Sequence, residues 1–112
     1  MTTVTYEMRE SVASIVLDDG KVNALSLPTF VEINAALDQA AADHAVVVLA
    51  GRENVFSAGF DLKALTSGGG TTAAMLRAGF ELAERLLSFP TPVVIACTGN
   101  AVAMGVFLLL SG

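Results

Sequence analysis

The sequence predicts an α/β fold, and three observations predict it. Residues 3–9 alternate in character and, after Glu10 and Ser11, a β-branched apolar run occupies residues 12–17, which is the pattern of a hairpin. Two short runs, residues 45–50 (AVVVLA) and residues 93–97 (VVIAC), are apolar throughout, as strands of a parallel sheet covered on both faces are. Between and after these runs lie segments whose apolar residues recur at helical spacing.

Each element follows in order. Asp18, Asp19 and Gly20 form a turn, and residues 21–25 run extended to Ser26. Ser26 is a good N-cap and Pro28 suits a first turn. Phe30, Ile33, Asn34, Leu37 and Ala41 then mark one face of a helix over residues 27–42, which ends at Asp43 and His44. The strand at 45–50 leads through a polar stretch, residues 51–54, into a compact segment over 55–62 in which Asp61 caps a short helix through Leu65. Residues 67–70 read as a flexible loop. Leu76, Phe80, Ala83 and Leu87, widened by Met75, Leu82 and Leu86, predict a helix over 72–88 that Pro90 and Pro92 stop. After the strand at 93–97, residues 98–103 read as a turn of small residues and residues 104–110 as a new buried helix. Hairpin, helix, strand, helix, strand, helix is α/β alternation with right-handed crossovers. No internal repeat divides residues 1–112, which form part of a single domain.

Composition narrows the function classes. Apolar residues make up 54% of the 112-residue chain and charged residues 15%, against about 25% charged in an average globular domain. The mean hydropathy is +0.66. So little polar surface predicts a core-rich part of a larger body, or one that buries much of itself in partners. The net charge of −5, with no cluster of Lys or Arg, argues against a nucleic-acid partner, which needs a basic stripe. The single cysteine, Cys97, excludes an internal disulfide, fits a reducing compartment and reads as a small buried hydrophobe. Residues 1–9 lack the basic-then-apolar order of a signal peptide. The apolar run at 101–110 falls short of the roughly 20 residues that span a bilayer. A soluble, cytoplasmic protein without membrane insertion is expected.

Chemistry is expected where strands give way to helices. Gly59 permits a left-handed turn after the first apolar strand, and the helix start at Asp61 leaves backbone N–H groups aimed outward, as anion sites require. Gly99 and Gly105 surround a second strand-to-helix transition. Ligands of open α/β sheets gather at such strand ends, and two convergent N–H donors make an oxyanion hole. The alternative is that these glycines only make tight turns. Other candidates are weaker. Glu81 and Glu84 stand three apart on a helix with no third ligand, so they read as a solvated face and no metal is expected. His44 follows a helix end and is expected to be exposed. Ser57 has no base nearby to make it a nucleophile. Neither G-x-G-x-x-G nor G-K-[ST] is present, which removes the common nucleotide-binding loops.

Three motifs carry a resemblance to a known family. Val22-Asn23-Ala24-Leu25 resembles the "NAL" entry to the first helix of the crotonase (enoyl-CoA hydratase/isomerase) family. Phe56-Ser57-Ala58-Gly59-Phe60-Asp61-Leu62 resembles its "F-[SAC]-A-G-x-D-[LI]" signature. Phe89-Pro90-Thr91-Pro92-Val93-Val94-Ile95-Ala96 followed by Gly99-Asn100-Ala101-Val102-Ala103-Met104-Gly105 resembles its "P-K-P-V-I-A-x-[VI]-x-G-x-A-x-G-G-G" segment. The motifs lie in the family's order and spacing. The resemblance implies a crotonase-like ββα spiral repeat, of which residues 1–112 are the N-terminal part and whose C-terminal part is absent from this chain. Family domains are about twice this length, still within the range of one domain. Half a domain is expected to expose large apolar surfaces. Trimers or hexamers are implied for the full length.

The resemblance also implies a site. The residue between Gly and Asp in the signature gives the first oxyanion-hole N–H, here Phe60, and the middle of the glycine triplet gives the second, here Met104. Both donors are backbone amides, and their side chains are expected to shape the acyl pocket. Ala58, with Ala24 nearby, corresponds to the segment that receives the CoA adenine. Phe60, Asp61, Leu62 and Lys63 line the bound CoA, with Lys63 or Lys21 pairing with its phosphates. The substrate is a CoA thioester, as in fatty-acid metabolism, with no prosthetic group. The family's hydratases carry a catalytic glutamate two residues past the triplet. Phe107 stands there, and no Asp or Glu follows Glu84. Phenylalanine cannot transfer a proton, so the 1,3-proton shift of the family's isomerases fits better than hydration. The other reading is a non-catalytic acyl-CoA-binding protein that has lost its base.

Overall fold

The computed structural model describes residues 3–102 and 104–112. Strands β1 (Val4–Arg9) and β2 (Val12–Leu17) form the expected hairpin, registered from Val4 opposite Leu17 to Arg9 opposite Val12. Glu10 and Ser11 both take positive φ, 47° and 68°, the mirror-image turn whose twist matches that of the flanking strands. Strand β3 (Ala24–Leu25) and helix α1 (Leu27–Ala42) lead to β4 (Val46–Ala50), which lies parallel to β2. Strands β5 (Asn54–Ser57) and β6 (Gly59–Phe60) and helices α2 (Leu62–Ser67) and α3 (Gly69–Leu87) lead to β7 (Val93–Ala96), parallel to β4. Strand β8 (Gly99–Ala101) and helix α4 (Met104–Leu110) complete the chain. The main sheet has the order β1-β2-β4-β7.

The core lies between this sheet and the helices. Alternate residues of the central strands, Ala13, Ile15 and Leu17 with Val47 and Leu49, are buried together with Phe30, Ile33, Leu37 and Ala40 of α1. Burying side chains of this size is worth roughly 1.5–3 kcal/mol each, which fixes the sheet register that α1 covers. The far end of α1 is tied to the edge strand, because the hydroxyl of Tyr6 donates to the carboxylate of Asp43 at 2.9 Å. His44, next to it, is exposed as expected.

The structure corrects the sequence reading at several places. Ser26 occupies the N-cap of α1 but caps no backbone N–H; its hydroxyl pairs with the hydroxyl of Thr29 at 3.2 Å. Residues 67–70 are no loop, since α3 begins at Gly69 and only Gly68 separates it from α2. The buried face of α3 is Met75, Gly79, Leu82 and Leu86, so Phe80 and Leu87, expected in the apolar stripe, are exposed. The turn expected over 98–103 contains β8, which pairs with β5, and a second small parallel pair joins β3 to β6; Ala103 lies outside the described residues. Strand β7 is an edge of the sheet, not an enclosed strand, and leaves Val94 exposed. Cys97, just past that edge, is exposed rather than buried, and its thiol reaches the carbonyl of Gly99 at 3.2 Å. Helix α4 is buried on one side only: Met104, Gly105 and Leu108 face inward, while Phe107 and Leu110 face outward. Among the described residues no helix is long and apolar enough to cross a membrane.

Candidate active site

The two small sheets bring the sequence-predicted site residues together. Ala24 stands opposite Gly59 and Leu25 opposite Phe60 in the β3–β6 pair. The N–H of Ala58 donates to the carbonyl of Val22 at 2.9 Å, and that of Asp61 to the carbonyl of Leu25 at 2.8 Å. Ala24 and Ala58 are therefore neighbours on adjacent backbones, and Ala58 is exposed. Gly59 has φ 89°, the left-handed turn expected of it. Asp61 caps α2 as expected, its carboxylate accepting from the N–H of Lys63 at 3.0 Å. Leu62 and Lys63 project into solvent from the first turn of that helix, and Lys21 is exposed in the loop before β3.

The second transition lies against the first. Helix α4 packs on β5, β6 and β8, and the N–H of Val102 donates to the carbonyl of Ser57 at 2.9 Å. Gly105 makes this approach possible. A methyl group on it would lie 2.5 Å from the carbonyl oxygen of Ser57 and 3.0 Å from its Cβ. The start of α4, with Met104 buried, is thus held directly beside the segment that ends in Phe60.

A buried polar network fixes this arrangement, and sequence reasoning did not find it. Asn23 is buried with φ 53°. Its side-chain amide donates to the carbonyls of Leu17 at 2.8 Å and Phe56 at 3.0 Å, and its side-chain oxygen accepts from the N–H of Asp19 at 3.0 Å. Ser57 is buried too; its hydroxyl donates to the carbonyl of Asn23 at 2.9 Å and accepts from the N–H of Gly59 at 3.1 Å. The Ser57 hydroxyl is therefore committed to two backbone groups. Asp19 closes the loop by accepting from the N–H groups of Lys21, Asn23 and Ala24 at 2.7, 3.0 and 3.1 Å. Partial burial alone would raise the pKa of Asp19. The three N–H donors and the charge of Arg52 outweigh it and hold that pKa below the ordinary carboxylate value. Arg52 itself pairs with Asp18 at 3.3 Å and donates to the carbonyl of Lys21. The one signal in the sequence was Asn23 following an Asp-Asp-Gly turn, since Asn tolerates the left-handed region that most residues avoid.

Other candidates are placed plainly. The ring of Phe60 is half-buried. It turns inward, edge-on to Phe30 with centroids 6.0 Å apart, into the space left by Gly79, where a methyl would lie 2.6 Å from the ring. Packing against the core holds the partly buried ring in that position. Phe107 lies on the outer side of α4 against Phe80. Glu81 and Glu84 are exposed, and among the described residues no cluster of three potential metal ligands occurs.

This fold, with a strand-to-turn crossing held against a second helix start, belongs to a recognised class. Residues 7–111 match the family model described as enoyl-CoA hydratase/isomerase, and the chain belongs to that family, the crotonases. It is similar to the crystal structure of a probable enoyl-CoA hydratase from Mycobacterium tuberculosis, with 54% identity and a TM-score of 0.96 over 99% of this chain and 48% of that one. The apo structure of the same Mycobacterium tuberculosis protein, there described as an enoyl-CoA isomerase, matches with 53% identity and a TM-score of 0.93 over 98% of this chain and 48% of that one. A probable enoyl-CoA hydratase of Bacillus subtilis is 31% identical over 115 aligned positions, covering 99% of this chain and 45% of the relative. The chain thus spans about half the length of these relatives.

Proposed function

We propose that this chain binds an acyl-CoA thioester and polarises its carbonyl between the backbone N–H groups of Phe60 and Met104. The observation that carries this reading is the double role of Ser57, whose hydroxyl fixes the turn at Gly59 while its carbonyl anchors Val102 ahead of α4. Abstraction of a proton next to a thioester moves negative charge onto the thioester oxygen. Donors already in place stabilise that charge, and losing one typically costs about 10²–10³ in rate. CoA would lie along Ala24, Ala58, Asp61, Leu62 and Lys63, with Lys21 and Lys63 reaching its phosphates.

Within the family's chemistry, a 1,3-proton shift in a 3-enoyl thioester suits these residues better than hydration. Hydration needs a carboxylate at the position of Phe107, and residues 85–112 contain no Asp, Glu or His. The base that takes the C2 proton and returns it at C4 is therefore a group outside residues 85–112. The same reading carries assembly into trimers or hexamers and a cytoplasmic setting. The second reading, a non-catalytic acyl-CoA binder, is favoured by Phe107 alone.

The test is calorimetric titration with CoA and octanoyl-CoA, followed by assays with 2-enoyl- and 3-enoyl-CoA. Binding with turnover of the 3-enoyl thioester is expected. Binding without turnover of either supports the second reading, and absence of binding overturns both.

A further inference from the structure

The first proposed donor follows a permissive turn. Gly59 takes φ 89°, and a glycine there puts no side-chain barrier against rotation of the peptide that carries the N–H of Phe60. The flanking amides are bonded within the chain. The N–H of Gly59 donates to the hydroxyl of Ser57 at 3.1 Å, and that of Asp61 to the carbonyl of Leu25 at 2.8 Å. The amide between them is the one assigned to the thioester oxygen, and the side chain it carries is the ring of Phe60.

That ring is seated between two helices. It meets Phe30 of α1 edge-on, with centroids 6.0 Å apart and planes at 67°. A methyl on Gly79 of α3 would lie 2.6 Å from both Cε1 and Cζ of Phe60 and 3.3 Å from Cζ of Phe30. The ring thus fills volume in which a β-carbon of α3 would otherwise stand. Gly79 is buried inside a 19-residue helix, where glycine is disfavoured relative to alanine; room for the ring offsets this. The helix is fastened on either side of Gly79. Thr72 donates to the carbonyl of Ala64 in α2 at 2.9 Å, and Arg85 donates to the side chains of Asn34 and Asp38 in α1 at 2.9 and 2.7 Å.

We propose that Gly79 and Phe30 are positioning residues for the first oxyanion donor: the seat they form for the ring of Phe60 fixes the direction of its backbone N–H. The proposal rests on the reading of Phe60 as a donor to the thioester oxygen. Both residues act through Phe60 and not by contact with the substrate. A hydrogen bond weakens steeply as its donor angle closes towards about 120°. An N–H aimed by a held ring therefore polarises the carbonyl more than one that swings about Gly59, because donors fixed before the charge forms need no reorganisation when it does.

Octanoyl-CoA labelled with carbon-13 at its carbonyl tests the seat, through the shift of the bound thioester and its affinity. The unaltered chain is expected to move the carbonyl downfield. Gly79→Ala sets a methyl against the ring and should cut that displacement to about half or less as donor alignment is lost. Affinity for CoA itself should stay within about twofold, because Ala24, Ala58 and Lys63 lie outside the seat. Gly70→Ala is the control: it makes the same change on the same helix, with nothing within 4 Å of the added methyl, and should leave the displacement as it was. Phe60→Ala keeps the amide and removes the ring; its displacement should also fall, and Gly79→Ala added to it should lower it no further. If Gly79→Ala does not fold, Phe30→Leu, which keeps apolar bulk but removes the edge-on ring, carries the same comparison against Phe60→Ala. Full displacement in a Gly79→Ala chain that binds octanoyl-CoA overturns the seat and leaves the donor reading standing. An equal loss from Gly79→Ala with and without the ring overturns it too, since the glycine would then act independently of Phe60. Absence of any displacement in the unaltered chain overturns the donor reading and the seat together.

Discussion

The hydroxyl of Ser57 donates to the main-chain carbonyl of Asn23 at 2.9 Å, joining the loop before β3 to the strand that ends in the Gly59 turn. The same oxygen accepts from the N–H of Gly59, so one buried side chain satisfies two backbone groups from two segments. Ser57→Ala would leave both groups without that partner in a dry site. The expected loss of stability is about 1–3 kcal/mol, read as a lower midpoint in urea with an unchanged slope. A midpoint within error of the parent would show that relaxation or water satisfies both groups.

Asn23 carries a heavier load, because its side chain bonds Leu17, Phe56 and Asp19 and its backbone is left-handed. Asn23→Ala removes the hydrogen bonds and also strains the backbone, for an expected loss of about 2–4 kcal/mol. Asn23→Gly removes the same bonds without the strain and should be less harmful by roughly 1 kcal/mol. Equal losses for the two variants would mean that the backbone conformation contributes nothing.

How much of this was legible in the sequence depends on the range of the interactions. The hairpin and α1 follow from local signals, alternation over residues 3–9 before a β-branched apolar run at 12–17, and Pro28 ahead of a periodic face, and both lie where expected. The β3–β6 and β5–β8 pairs are two to four residues long and join segments about 35 to 45 positions apart, so no local periodicity announces them. The face of α3 was misjudged because hydrophobicity marks Phe80 and passes over Gly79, whereas packing selects Gly79 to admit Phe60. Cys97 was misjudged because an apolar run does not say whether its strand is central or at the edge. The proposed donors Phe60 and Met104 were legible only through motif resemblance, since backbone donors place no demand on side-chain chemistry.

Acid should loosen the loop over residues 18–24 before it affects the sheet. The pKa of Asp19 is depressed in the folded chain, so its contribution is present above the unfolded carboxylate value, about 3.9. That contribution is lost as pH falls through the lower folded value. Protection of the Lys21, Asn23 and Ala24 amides, taken relative to the intrinsic exchange rate at each pH, should be constant above about pH 4 and fall below it. Asp19→Asn should abolish this acid step. Persistence of the step in the variant would assign it to another carboxylate.

The proposed phosphate contacts are open to a salt test. Lys21 and Lys63 are exposed, so each ion pair with CoA is expected to contribute no more than about 1 kcal/mol, a factor of two to five in affinity. Lys21→Met and Lys63→Met should each weaken CoA binding by that factor at low salt, and the deficit should shrink near 0.5 M salt as the charges are screened. A deficit that does not respond to salt would point to packing of the lysine stems instead of charge.

Gly105→Ala separates the two halves of the site. The added methyl would meet the carbonyl oxygen of Ser57 at 2.5 Å, a main-chain atom held by the N–H of Val102 and thus unable to yield cheaply. The start of α4 must then move away from β5, carrying Met104 with it, while Ala24, Ala58 and Lys63 lie on other segments. Affinity for CoA should stay within a factor of two or so, since a displaced α4 start touches none of the proposed CoA contacts. Polarisation of the thioester should fall, because hydrogen-bond strength drops steeply once donor geometry is lost. The carbon-13 shift of a carbonyl-labelled octanoyl-CoA reads this directly: the parent chain should move the bound carbonyl downfield and the variant should move it less. An equal shift in both, with both folded and binding, would remove Met104 from the oxyanion site.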